Sequence, residues 1–348
     1  LDSQTVTGVE YNRIRFHLVS NAPFDDLPGG GQPVDIQHPV PQPFVSDSPF
    51  IAQSVTTTKQ LAAFAENRLQ LSDKLSLITG VRRDYLHIDS NDLTTANRDA
   101  DTTLTGNNWK AGLVYAITPD ISVYAQYATS TDGVGSLISL SPSQQQFGLS
   151  TAKQAEVGFK QAFWDARGEW TLAAYHIVKQ KLLVSIPGTD LKEQVGQQSS
   201  NGLEVSLDLQ LPDAWQLQAN AAIVRAQYDD FSEVVNGQAI SRNGNRPVDV
   251  PNRTANLWLS NAVTDDIRAG AGVRYVSARY ADTANTREVP SYTVADAAVS
   301  WRAMRNTTLG LELNNLFNRT YAVSQYNNGQ QWLLGEPRSF FVTADYTF

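Results

Sequence analysis

Arg338-Ser-Phe-Phe-Val-Thr-Ala-Asp-Tyr-Thr-Phe348 closes the sequence as one alternating run. Phe340, Val342, Ala344, Tyr346 and Phe348 share one side of a period of two. The ends of soluble domains usually fray. An apolar-faced strand closing on an aromatic residue therefore predicts the last stave of an outer-membrane β-barrel, with that face toward lipid.

The same period recurs upstream. Leu203, Val205, Leu207 and Leu209 alternate with Glu204, Ser206, Asp208 and Gln210. Ile267, Ala269, Ala271, Val273 and Tyr275 alternate with Arg268, Gly270, Gly272 and Arg274, and Ala155, Val157 and Phe159 with Glu156, Gly158 and Lys160. Apolar residues out and charges in make a polar lumen. In a soluble β-sandwich the inward residues would be the apolar ones and the strands shorter. Two segments fit this scheme poorly. The apolar phase of residues 9–18 flips near Arg13, which predicts a bulge. Arg83 falls on the lipid side, where its cost is small if it lies near the outer interface.

Composition agrees. The 348 residues are 41% hydrophobic with a mean hydropathy of −0.31, and no apolar run approaches the roughly 18 residues of a membrane helix. With no cysteine there is no disulfide or thiolate site, and His17, His38, His87 and His176 are too scattered to propose a metal centre. A net charge of −8 argues against a nucleic-acid partner. Leu1 is not followed by a charged region and an apolar core. The expectation is a removed signal peptide or a start inside a longer protein.

Turn chemistry sets the topology. Tight polar turns are predicted at Ser72-Asp73-Lys74, Thr118-Pro119-Asp120, Asp165-Ala166-Arg167-Gly168, Pro212-Asp213-Ala214, Thr264-Asp265-Asp266 and Arg305-Asn306. Between them lie longer polar stretches at about 19–50, 90–107, 131–152, 186–198, 229–251, 281–290 and 318–337. Short periplasmic turns alternating with long extracellular loops are the rule for such barrels. The reading is an all-β, transmembrane, antiparallel up-and-down barrel wall of about fourteen strands.

Residues 75–85, 154–160, 313–321 and 335–338, the last running into Phe348, together resemble the C-terminal part of TonB-dependent ferric-siderophore receptors. The resemblance covers nearly everything from about residue 52 onward. It implies a barrel of about 22 strands with a plugged lumen. On that expectation the whole of 1–348 is the C-terminal barrel portion, and the plug, the TonB box and the earlier strands precede it. It further implies energy-coupled uptake of a ferric siderophore across the bacterial outer membrane, with TonB acting through the plug, lipid around the wall and no cofactor. The alternatives are a passive, porin-like channel of about fourteen strands and an adhesin or phage-receptor scaffold.

Trp332, Tyr326 and Gln331 in the last loop, and Tyr228 and Phe231 in an earlier one, are the candidate ligand-binding residues. A ferric chelate arrives with its iron already ligated, so aromatic surface and a few hydrogen bonds suffice. Tyr and Trp also populate the interfacial girdles of barrels. The run 315–321 reads as architectural, its side chains bonding the backbone. Glu156, Lys160, Arg268 and Arg274 read as ordinary lumen residues before a translocation track. The Asp25–Gly31 and Pro33–Pro49 stretch fits neither an EF-hand nor a phosphate loop and reads as a long loop. His176 with Ser185, and His87 with Asp84 and Asp89, are the pairs to inspect for hydrolytic chemistry. No enzyme activity is expected.

Overall fold

The structure is a computed structural model that describes residues 2–20, 49–94, 99–132, 147–185, 192–235, 237–326 and 331–348. The Asp25–Gly31 stretch and nearly all of the proline-spaced stretch after it lie outside the described residues.

Among the described residues every regular element is a strand. In chain order they are β1 (Ser3–Ser20), β2 (Ile51–Ser72), β3 (Leu75–Asp92), β4 (Ala100–Thr118), β5 (Ile121–Asp132), β6 (Ser150–Phe163) and β7 (Gly168–Ser185). Then come β8 (Lys192–Gln210), β9 (Trp215–Asp230), β10 (Ser232–Val235), β11 (Gln238–Ser241), β12 (Arg253–Ala262), β13 (Ile267–Val276) and β14 (Arg279–Tyr280). Last are β15 (Glu288–Val289), β16 (Tyr292–Met304), β17 (Thr307–Asn314), β18 (Ala322–Tyr326), β19 (Gln331–Leu334) and β20 (Ser339–Tyr346). Fourteen of them form one antiparallel meander, β1 to β9 followed by β12, β13, β16, β17 and β20. Among the described residues β1 and β20 are its two edges and do not pair with each other. The three small pairs, β10–β11, β14–β15 and β18–β19, decorate the connections at the long-loop end.

All six expected turns are present, at one end of the sheet. The long connections lie at the other, but two are shorter than expected. β3 runs to Asp92 and β4 starts at Ala100, and β8 starts at Lys192, so much of 90–107 and 186–198 is strand. Above the lipid the outer face needs no apolar residues, so the period fades while backbone pairing continues.

The pairing register separates two faces. One runs Val9, Ala63, Arg83, Asn107 and continues through Leu113, Val157, Leu203, Val205, Leu257, Val299, Leu311 and Val342. The large apolar side chains on this face, from Val9 and Leu113 to Val342, are exposed, whereas only nine hydrophobic residues are buried among those described. Water does not tolerate an apolar surface of that extent; lipid requires it. On β4, Trp109 stacks on Tyr127 with centroids 5.2 Å apart, and Tyr115 lies six residues lower, about 20 Å along a strand rising about 3.3 Å per residue. With Trp170, Trp215 and Trp301 near the short turns, the rings form two belts flanking the apolar band.

The bulge expected near Arg13 is absent. β1 and β2 stay in register from Ser3↔Leu69 through Arg13↔Lys59, shifting only between Leu18 and Val19. The apolar phase flips because β1 leaves the membrane there. Val9 and Tyr11 face lipid, while Ile14 and Phe16 turn inward beside Thr58 and Thr56. Nearby on the inner side Leu86 and Ile88 are buried under Phe147 and Leu149.

The other face is polar and carries aromatic rings laid across glycines of neighbouring strands. Tyr124 covers Gly158, and Tyr175 covers Gly202. A Cβ at 158 would sit 2.2 Å from the Tyr124 ring, so no side chain fits without displacing it. Gly158→Val is expected to destabilise the wall by roughly 1–3 kcal/mol as overpacking does. Chemical unfolding in lipid vesicles checks this against Gly148→Ala, where nothing lies within 4 Å.

Candidate functional site

Three long connections meet at the mouth: 231–252 between β9 and β12, 277–291 between β13 and β16, and 315–338 between β17 and β20. A polar network ties them together. Glu233, nearly buried, accepts from Arg242 Nε at 2.9 Å and from the Thr283 hydroxyl at 2.8 Å, linking the first connection to the second. Asn245 Nδ2 donates to the Thr283 carbonyl at 2.9 Å. The Asn285 amide accepts from the Arg246 N–H at 2.8 Å and donates to the Arg246 carbonyl at 2.9 Å and to the Asp282 carbonyl at 3.2 Å. Asp249 and Asn285 both adopt φ of 59°, a left-handed conformation that Asn and Asp tolerate better than most residues.

The third connection is held through Arg279. This guanidinium is 3% exposed, donates Nη2 to the Ala322 carbonyl at 3.0 Å, faces Asp249 across 3.5 Å and lies over the Tyr292 ring. Asp249 in turn accepts from the Ser324 hydroxyl at 2.6 Å. Beneath them Ala281, Val289 and Ala322 form a small apolar core.

Asn315 closes the base of the last connection. Its amide donates to the Arg319 and Glu336 carbonyls and accepts from the Arg319 N–H, and its own N–H donates to Asp296. Two acids above the membrane are also caged. Burial alone would push the Asp282 carboxyl up, but the Thr286 hydroxyl and N–H and the Arg287 N–H hold it below the ordinary carboxylate range. At Asp229 burial is likewise outweighed, here by Gln227, Gln197 and Ser199.

The candidate ligand residues separate into two groups. Trp332, on β19 opposite Gln325, is 42% exposed. It borders an open pocket of about 250 Å³ with Pro290, Arg319, Tyr321 and Leu334. Tyr326 and Gln331 are paired in backbone register at the tip of the same hairpin. Tyr228 and Phe231 sit elsewhere, at the root of the first connection. They are buried, with ring centroids 4.9 Å apart, and pack with Leu182; burial pushes the Tyr228 hydroxyl pKa up. As the loops stand, these two rings offer a ligand no open face.

Of the lumen charges, Glu156 accepts from Tyr124 at 2.7 Å, Gln126 at 3.0 Å and Gln154 at 2.6 Å, and Lys160 meets Glu169 at 2.8 Å. Arg268 and Arg274 are exposed on the same face. His87 and His176, the histidines considered for hydrolysis, have other partners. His87 contacts Asp101 and Thr103, whereas Asp84 lies on the opposite face, and His176 bonds Asn201 on the outer wall. Among the described residues no group of three His, Asp or Glu gathers. Sequence reasoning missed Glu233, Asn245, Asp249, Arg279 and Asn285. Their only sequence signal is a high density of Asn, Asp and Arg in the loops.

Residues 2–316 match the family model described as TonB dependent receptor-like, beta-barrel. The chain belongs to this family. Its relatives include the probable TonB-dependent siderophore receptor PiuA of Acinetobacter baumannii, 27% identical over 307 residues covering 83% of this chain and 40% of PiuA. The catecholate siderophore receptor Fiu of Escherichia coli K12 is 28% identical over 326 residues, 84% of this chain and 42% of Fiu. The closed form of the ferric-catecholate import receptor Fiu superposes with a TM-score of 0.75 at 25% identity, over 99% of this chain and 52% of that one. The PiuA structure gives 0.78 at 23% identity, over 99% and 53%. The chain thus spans under half the length of these two relatives by sequence. TonB-dependent receptors are outer-membrane β-barrels of Gram-negative bacteria and act in transport, and the faces described above place this wall in that membrane.

Proposed function

We propose that this chain is the C-terminal wall and part of the mouth of a TonB-dependent receptor that imports a ferric siderophore. The observation that carries the proposal is the network-locked mouth of three loops on a barrel of this family, with Trp332 exposed beside a pocket. The names of the relatives support the ligand class. The plug and remaining strands of such a receptor, and its coupling to TonB, belong to the same proposal, since the relatives are more than twice the matched span. Trp332, Tyr326 and Gln331 are proposed to meet the chelate directly. Tyr228 and Phe231 would contact it once the first connection opens, and until then they brace that connection. No covalent step is involved.

Replacing both Trp332 and Tyr326 by alanine in the full-length receptor is expected to weaken ferric-siderophore binding roughly tenfold or more, as loss of aromatic anchors does. Equilibrium binding of a labelled ferric chelate measures it, and unchanged affinity would remove the assigned role. A passive channel of fourteen strands is the weaker reading, because among the described residues β1 and β20 do not pair with each other and lipid leaves such edges unsatisfied.

A further inference from the structure

Two arginines of the lumen wall stand apart from its other charges. Glu156 accepts three hydrogen bonds and Lys160 is paired with Glu169. Arg268 and Arg274 on β13, both exposed on the inner face, have neither an ion pair nor a hydrogen-bond partner for their guanidinium groups among the described residues. Two acids beside them are engaged elsewhere. Asp266 pairs with Arg302 at 2.8 Å, and Asp296, opposite Gly272, accepts from the Asn315 N–H at 2.8 Å.

Between the two arginines lies Trp258. It stands on β12 opposite Gly272, and its ring lies along two glycines of β13. A Cβ would sit 2.9 Å from that ring at Gly270 and 2.5 Å from it at Gly272. One face of the indole is therefore spent on the wall, and the other is turned to the lumen. Tyr124 is laid over Gly158 in the same way but gives its hydroxyl to Glu156. The Trp258 N–H has no partner among the described residues.

These three residues make a column. Arg268 and Arg274 are six residues apart, about 20 Å along the strand, with the indole midway, so each step is about 10 Å. The end at Arg274 meets the mouth. Arg274 stands opposite Val294 and Val276 opposite Tyr292. Tyr292 directly follows Pro290 and Ser291 of the pocket beside Trp332, and its ring packs on Tyr321 of the same pocket, with centroids 4.5 Å apart. Free guanidinium groups with an aromatic face between them match one kind of passenger, an anion whose charge is spread over aromatic rings. Several exposed, weak contacts suit passage better than one tight site, since a passenger must leave each as readily as it arrives.

We propose that Arg274, Trp258 and Arg268 form a transit path on the β12–β13 wall for an anionic ferric chelate with aromatic ligands, leading inward from the mouth. The inference rests on the function proposed above and adds to it the charge class of the chelate and the wall it follows.

The test measures uptake by cells carrying the full-length receptor, with two labelled probes: an anionic ferric tris-catecholate and a neutral ferric trihydroxamate. Arg268→Gln with Arg274→Gln is expected to lower maximal uptake of the tris-catecholate roughly tenfold, the worth of two partly exposed charge contacts. The concentration giving half-maximal uptake should stay within about twofold, because binding at the mouth is untouched. Arg268→Lys with Arg274→Lys should restore most of the rate, and Trp258→Leu should lower it where Trp258→Phe does not. Undiminished uptake by the double glutamine variant, or a wild type that prefers the trihydroxamate, overturns the path. So does leakage of a large glycopeptide antibiotic through that variant, which would show that the arginines hold the filling of the lumen in place. A wild type that takes up neither probe overturns the proposed function and the path with it, so the two failures are told apart. Heat-modifiable migration of the unheated barrel verifies folding; if the double glutamine variant fails that check, Trp258→Leu against Trp258→Phe carries the same comparison.

Discussion

Ala221→Arg is expected to cost roughly 2–4 kcal/mol of folding stability in a bilayer, the penalty for a cation at midplane depth on a barrel's lipid face. Its neighbour Ala222→Arg, on the polar inner face, is expected to escape that lipid penalty. The two positions differ only in face. Ala221 is paired with Val205 and Ala255 in the apolar rows, and Ala222 with Glu204 and Thr254 on the polar side. Urea titration of the full-length receptor folded into vesicles reads both. Similar losses at the two sites would mean that the face assignment, and with it the membrane reading of the sheet, is wrong.

Arg279→Ala is expected to release the third connection from the other two. The substitution removes the donor to the Ala322 carbonyl, in a residue only 7% exposed, and strips Asp249 of its cation. A fully buried ion pair broken in this way costs roughly 3–5 kcal/mol. Asp249 keeps its bond from Ser324 and is 28% exposed, so about 2–3 kcal/mol is expected here. Hydrogen exchange should quicken in 245–252 and in β18 and β19 together while β16 and β17 stay protected. Arg279→Lys, which retains charge but not the forked donor, should fall between. Unchanged exchange in both segments would show that the network does not hold the loops.

What was legible in the sequence follows from where the chain meets lipid. Asp213, Asp265 and Asn306 mark the short turns because the backbone there leaves the ladder and these side chains supply the bonds. Between the aromatic belts one face must be apolar, so strands such as 203–209 declare themselves. Above the belts that demand ends, and Ser90 to Asp92 or Ala100 to Thr105 look like loop although they pair as strand. The flip at Arg13 was a true signal read as the wrong defect. It marks the membrane surface, not a bulge. Trp332 could be nominated from its type and place. Tyr228 and Phe231 could be too, but nothing local foretold that they would bury each other. Asp249, Arg279 and Asn285 were invisible because their partners stand 30 to 75 residues away or in another loop.

The meander has a consequence for how the molecule is built. Each of the fourteen wall strands bonds only to the wall strands on either side of it in the sequence, so the wall can be zipped hairpin by hairpin with small loop-closure entropy at every step. The ties among the mouth connections are different in kind, the longest joining Asp249 to Ser324. Contacts of that span are made only after the strands between them are in place. The mouth is therefore the last part to be assembled, and a receptor whose wall is already complete still has its gate to set.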